Sequence, residues 1–342
     1  MFRTIRRPFR SLAAAAAVGG LLLAVSACGS DPSDDAKAPT GATTPAATAG
    51  ASSSDFPLTL QDSLGSVRIP AAPQRVVVLS SVDLDAALAA GVVPVLAPKN
   101  VFTADGTYPW LQGRLTKDTE LVSTISALPF ERIAALQPDL ILDTGDYTAK
   151  DNYAKLSQIA PTVAPLTSAA TDSWQDRQRL VGKALGRQAE SDRAVRQAQD
   201  AVTAAKATYP GLAGKTFSVT YAAAVDQIVT LSSPHDFAVG FLQSLGLRQA
   251  PALTELAKNS VGVGTVSQER LDVLSADLMI SAYQTPDLEK KVGESALMRS
   301  AATGHTFQVV DLTTITLLRN PSTLGLPWVL DRLAPALAKA AG

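Results

Sequence analysis

Residues 131–142, ERIAALQPDLIL, and residues 269–280, ERLDVLSADLMI, are two copies of one pattern. Aligned without gaps they share five of twelve positions: Glu131/Glu269, Arg132/Arg270, Leu136/Leu274, Asp139/Asp277 and Leu140/Leu278. Three further positions exchange one large apolar side chain for another. Each copy reads as a short helix, a turn and a buried strand. A unit of this kind that occurs twice predicts two similar lobes.

Outward from the repeat, the same alternation continues. Residues 75–79, RVVVL, form a β-branched run that suits a buried parallel strand, and a helical pattern over 84–90 closes at Gly91. Residues 140–142, 217–219, 278–280 and 307–310 are further strands of this type. Strands alternating with helices imply parallel sheets with helices on their faces, and a body of about 285 residues is near the size at which one core becomes two. Between the copies, 174–185 and 189–208 are helical, separated by Gly186 and stopped by Pro210-Gly211. The second of these has one narrow apolar stripe: Ala194, Val195, Ala198, Ala201, Val202 and Ala205. That seam suits a strut between domains and equally an ordinary surface helix on one of them. The repeat on either side favours the strut. The fold class expected is α/β: two lobes, each with a mostly parallel sheet flanked by helices, joined by one long helix.

The amino terminus has different chemistry. Arg3, Arg6, Arg7 and Arg10 precede an apolar run from Leu12 to Val25. These are the charged and apolar regions of a secretory signal, too short for a membrane span of ~20 residues. The stretch Ala24-Val25-Ser26-Ala27-Cys28-Gly29 resembles a lipobox, the cleavage signal of bacterial lipoproteins. The resemblance implies cleavage before Cys28 and acylation of its thiol and new amino terminus. Cys28 is the single cysteine, so no internal disulfide forms. Removing residues 1–27 leaves 26 basic and 31 acidic side chains, a net charge of −5, which gives no electrostatic case for nucleic acid. Residues 29–54 are Ala, Thr, Ser, Pro, Gly and Asp with almost no large apolar side chain, the composition of a disordered tether. A flexible segment of that length spans roughly 30 Å. The organisation expected is a signal peptide 1–27, tether 28–54, amino-terminal lobe 55–186, linking helix 187–210 and carboxy-terminal lobe 211–342.

Residues 73–79, 83–91, 129–142, 159–163, 174–186, 241–247, 266–280 and 330–333 are spread over nearly all of 56–341. In their order and spacing they resemble the substrate-binding lipoproteins of iron–siderophore ABC transporters, of the ferric enterobactin and ferrichrome type. The resemblance implies a ligand cleft between two lobes, a helical backbone, and a ferric siderophore delivered to an ABC permease dimer. It further implies a monomer held at the extracytoplasmic membrane face by Cys28, with no catalytic activity, no resident cofactor or metal, and no nucleic acid partner. In this family each lobe presents one glutamate to the permease, and Glu131 and Glu269 fall on those positions. As first-turn helix acids both also suit the helix dipole.

Ligands of α/β lobes sit beyond the carboxyl ends of parallel strands. The loops this selects carry Ser81, Trp110, Tyr147, Tyr221, His235, Tyr283 and Arg319, with Phe102, Tyr108 and Asn320 beside them. Aromatic faces and a few donors suit a large chelate. Arg319 has the clearest motive, since many ferric siderophores are anionic. His235 and His305 are the only histidines, too few for a receptor of bare zinc or manganese. Haem or a corrinoid remains an alternative ligand, with His235 or a tyrosine as axial contact. A cell-envelope hydrolase is disfavoured: no G-x-S-x-G elbow is present, and Ser232 near His235 has no evident acid partner. The glycines of 261–267 imitate a dinucleotide loop but lack its third glycine. A scaffold lipoprotein would not need duplicated lobes.

Overall fold

The computed structural model describes residues 55–125, 127–256 and 262–342; the leader, Cys28 and the tether expected over 28–54 lie outside them. A hairpin of β1 (Leu58–Asp62) and β2 (Gly65–Ile69) comes first. The Asp62 carboxylate accepts from Leu64 N and Gly65 N in its turn and from Ala164 N across the lobe.

The first sheet is wholly parallel, in the order β5-β4-β3-β6-β7. Its strands are β3 (Val76–Val78), β4 (Leu96–Pro98), β5 (Glu120–Val122), β6 (Leu140–Leu142) and β7 (Thr162–Val163). Every residue of β3, β4 and β6 is buried, which explains runs without polar alternation. Helices α1 (Ser81–Ala89), α2 (Phe130–Ala135) and α3 (Ala149–Leu156) connect them, and α4 (Trp174–Ala184) follows. Ser80 and Ser173 cap α1 and α4 by accepting from Asp83 N and Asp176 N.

After α5 (Gln188–Thr208) comes the second sheet: β8 (Thr216–Ala224), β9 (Gln227–Leu231), β10 (Arg248–Gln249), β11 (Val263–Val266), β12 (Leu278–Tyr283) and β13 (Thr306–Val309). Its order is β11-β9-β8-β12-β13, with β10 on β8. The β8–β12, β12–β13 and β8–β10 pairs are parallel, while β9 runs antiparallel to β8 and β11. The glycines that imitate a nucleotide loop therefore sit in and beside a strand. Helices α6 (Phe237–Ser244), α7 (Pro251–Thr254), α8 (Pro286–Leu288), α9 (Ala296–Ala301), α10 (Leu312–Arg319) and α11 (Gly325–Ala341) complete this lobe.

The repeat has a structural meaning. Both copies are helix, turn and strand: α2 into β6, and a 3-10 helix, Gln268–Leu274, into β12. The second helix is kinked at Arg270 (φ −114°, ψ 29°). In each copy the shared aspartate fastens the start of the neighbouring strand. Asp139 accepts from Gln74 N and Arg75 N at 2.7 and 2.9 Å, just before β3. Asp277 accepts from Thr216 N and Thr216 Oγ1 at 2.7 and 2.8 Å, at the start of β8. One carboxylate thus sets the register of two adjacent parallel strands in each lobe, a reason for the pattern to occur twice.

Helix α5 packs on α1 and α4 of the first lobe and on α11 of the second. Ala198 belongs to the second lobe's apolar core, with Ala201, Val202 and Ala205 partly buried against it. At the other end Ser191 meets Gly182 of α4, where a Cβ would come within 2.1 Å of the Ser191 hydroxyl. The thin stripe therefore serves two lobes, as a strut does.

Candidate functional site

The first sheet ends at a cavity of about 280 Å³. Residues just past the carboxyl ends of four parallel strands line it: Ser80, Ser81 and Val82 after β3, Lys99–Phe102 after β4, Thr124 and Ile125 after β5, and Gly145–Tyr147 after β6. The opposite wall is α10, through Thr313, Thr316, Leu317 and Asn320, spacings that share one helical face. A second cavity of about 270 Å³ lies on the other side of the same helix. It is lined by β8, β9 and β11 and by Leu312, Ile315 and Arg319 of α10. Phe102, Thr316 and Asn320 line both cavities, which makes one cleft of them.

The cleft is apolar where it meets solvent. Among the described residues seven large apolar side chains are exposed, and four of them, Val101, Phe102, Ile125 and Tyr147, line the first cavity. Exposed apolar side chains concentrated in one concavity mark a binding surface. Tyr147 Oη donates across the mouth to Asn320 Oδ1 at 3.4 Å, a weak link between the two lobes.

Behind these walls lies a buried polar frame. Asp83 of α1 has no exposed surface, and its carboxylate accepts from Ser80 Oγ (2.6 Å), Thr144 N (3.1 Å) and the Thr144 hydroxyl. Burial raises its pKa, opposed by Ser80, Thr144 and the nearby Arg177. Asp143 is equally buried, neither carboxylate oxygen has a partner, and burial together with Asp83 and Asp146 pushes it up to about 9. It is protonated at neutral pH. Gly145 allows the loop to close down on this frame, since a Cβ there would lie 2.3 Å from Ser80 Oγ and from Val82 Cγ2.

The return loop from α10 is pinned to α1. Asp85 accepts from Ser322 Oγ (2.7 Å), Leu324 N (2.9 Å) and Trp110 Nε1 (2.9 Å), and burial still pushes it up to about 6. Gln178 of α4 donates to Ala86 O and Ser191 Oγ, both at 3.0 Å, and accepts from Thr323 Oγ1 at 2.8 Å. Two side chains thereby join α1, α4, α5 and the return loop into a hinge.

The residues anticipated from the sequence divide among several places. Ser81, Trp110 and Tyr147 line the first cavity, and Tyr221 and Arg319 the second. Trp110 offers the cleft a ring face, because its N–H is held by Asp85 and it stacks at a tilt between Tyr108 and Trp328, with centroids 5.2 and 5.7 Å away. Burial pushes the Tyr108 hydroxyl up to about 12, with Ser81 as its hydrogen-bonding neighbour. The Tyr221 hydroxyl donates to Gln284. Arg319 forms an ion pair with Asp236 at 3.2 Å, and Asp236 is nearly buried while it caps α6.

Two expected contacts lie elsewhere. Tyr283 is 8% exposed in an apolar cluster with Met279, Leu288 and Val292, and burial pushes it up to about 12. Strand parity is the reason: Leu278, Ile280 and Ala282 face one core, Met279 and Tyr283 the other. His235 is exposed and lines a separate cavity of about 690 Å³, with Trp174, Lys206 and Phe241. Neither lines the two cavities of the cleft, so neither is positioned there as an axial contact. Glu131 and Glu269 are exposed and form no ion pair among the described residues. Val101, Ile125 and, apart from Asn320, the α10 face have no place among the residues anticipated from the sequence. The spacing of Thr313, Thr316, Leu317 and Asn320 was the available signal for α10; Val101 and Ile125 had none.

Comparison with known proteins gives a consistent set. The family model described as periplasmic binding protein matches residues 76–309. The Fe(3+) dicitrate-binding periplasmic protein FecB of Escherichia coli (strain K12) is 26% identical over 261 residues, 75% of this chain and 82% of that protein. The probable siderophore-binding lipoprotein YfiY of Bacillus subtilis (strain 168) is 28% identical over 227 residues, 65% of this chain and 67% of that protein. A periplasmic solute binding protein from Mycobacterium smegmatis superposes with a TM-score of 0.70 at 28% identity, over 83% of this chain and 98% of that one.

Proposed function

The chain belongs to the periplasmic binding protein family, and on that premise we propose that it captures a ferric siderophore between its lobes and delivers it to an ABC transporter permease. The observation that carries this reading is the cleft itself: exposed aromatic and aliphatic side chains gathered where four parallel strands end, faced by a helix of the other lobe. Such a surface suits a chelate that already satisfies its own metal, since the protein need supply only ring faces and a few donors. The relatives named for binding support a binding protein and not an enzyme. Glu131 and Glu269, exposed and placed one on each repeat copy, are read as the acids that orient docking on the permease. Cys28 is read as the lipid anchor that retains the receptor at the extracytoplasmic face, where it acts as a monomer; Cys28→Ser is expected to release the protein into the medium, and full membrane retention would contradict the anchor.

Calorimetric titration of the purified chain tests the function. A ferric chelate should bind saturably at one to one, and its iron-free form should not bind. Binding of haem or cyanocobalamin with no ferric chelate bound would replace this ligand class, and heat from none of these ligands would argue for a scaffold.

A further inference from the structure

We propose that the chelate this cleft takes is electroneutral, the charge class of a ferric trihydroxamate, and not an anionic catecholate or citrate complex. The inference rests on the siderophore-binding reading and deepens it. Among the described residues lining the two cavities only Lys99, Asp146 and Arg319 carry charge. Arg319, the one guanidinium, is already paired with Asp236 at 3.2 Å, and that carboxylate is itself nearly buried with its second oxygen on the α6 cap. Lys99 is an exposed side chain, and Asp146 lines the same cavity with the opposite sign. Behind the wall, the buried Arg177 is balanced by Asp83 and Asp172, which act on it with opposite charge. On these walls the charges sum to zero, Lys99 and Arg319 against Asp146 and the Asp236 that pairs with Arg319.

Coordination chemistry then selects the ligand. Each hydroxamate gives up one proton on binding iron, so three of them neutralise Fe(III). Each catecholate gives up two, so three of them leave a triply negative complex, and citrate complexes are anionic as well. Moving such an anion out of water costs several kcal/mol per charge unless cations meet it. What this cleft offers is hydroxyls, an amide and ring faces: Ser80, Ser81, Thr316, Asn320, Tyr108 and Trp110. Those suit neutral oxygen acceptors and aliphatic linkers. Asp236 balances the charge of Arg319 within the fold, which leaves its Nε, without a hydrogen-bond partner, as a donor and not as an unbalanced cation.

The test titrates the full chain, detergent-solubilised, with ferrichrome, ferric enterobactin and ferric dicitrate at about 0.05 and about 0.5 M salt. The neutral hydroxamate complex is expected to bind at least about 100-fold more tightly than either anionic complex. Its affinity should change less than about twofold with salt. Tighter binding of ferric enterobactin or ferric dicitrate, or a tenfold loss of hydroxamate affinity at high salt, would overturn the charge assignment while leaving siderophore capture standing. Binding of no ferric chelate would instead remove the reading on which the assignment rests. Asp236→Asn keeps a capping side chain and frees Arg319, so it should shift the affinity ratio toward ferric enterobactin about tenfold. An unchanged ratio would contradict the role given to the pair.

Discussion

Asp143 holds a proton that the unfolded chain would release. Its carboxyl titrates near 3.8 without the fold and at about 9 within it, because it is buried beside Asp83 and Asp146. Between those values the folded state binds one more proton than the unfolded state, so stability falls as pH rises through the interval. Asp143→Asn removes that dependence. The variant should gain on the parent protein from about pH 5 to about pH 8, by roughly 4 kcal/mol at the upper end. Thermal melts across that range check this, and parallel profiles for the two proteins would contradict it. The sequence marked the loop after β6 as a cleft loop, but not this aspartate. Its perturbation comes first from burial and then from Asp83 of α1 and Asp146, and burial under a distant helix is something no local pattern reveals. Arg319 shows the same limit in reverse. Its residue type was legible and its use was not, because Asp236 reaches it only through the packing of α6 against α10.

Elements were more legible than residues. Uninterrupted apolar runs occur where both faces of a strand are covered, so β3, β6 and β12 were readable from composition alone. The face that each residue of β12 takes was not readable, because parity depends on where the strand begins; Tyr283 went to the core for that reason. Helix α10 carried a readable signal in its i, i+3, i+4, i+7 spacing, and it forms the wall shared by the two cavities. In the repeat, the aspartate is the structural member and the glutamate is the free one. Asp139 and Asp277 are spent on strand ends, whereas Glu131 and Glu269 sit in the first turns of the helices that lead into the amino ends of β6 and β12. The double variant Glu131→Ala with Glu269→Ala should therefore leave chelate affinity within about twofold and melting unchanged, and abolish uptake in cells. Weakened binding by the purified double variant would show that these acids serve the cleft and not the permease.

At the scale of the whole molecule, buried hydrogen bonds between the lobes gather at the hinge. Asp85 and Gln178 fasten the return loop to α1 and α4, and α5 spans both lobes. At the cleft, among the described residues, the lobes meet through the tilted rings of Trp110 and Trp328 and one weak hydrogen bond, the 3.4 Å contact of Tyr147 with Asn320. Two bodies fixed at one side and lightly joined at the other are suited to adjust around a guest. The two-lobe plan was legible in the sequence because the repeat encodes it. The guest's charge was not legible, because it depends on which cations are left unpaired after folding. The central claim, capture of a ferric chelate in this cleft, is tested most directly by the tryptophan fluorescence of the full chain. Of its three tryptophans, Trp110 lines the first cavity and packs on Trp328. Titration with a ferric trihydroxamate should quench the emission saturably at one equivalent, the iron-free ligand should not, and Trp110→Phe should remove most of the signal. An emission unchanged by every ferric chelate, or a quench that Trp110→Phe leaves intact, would contradict the account.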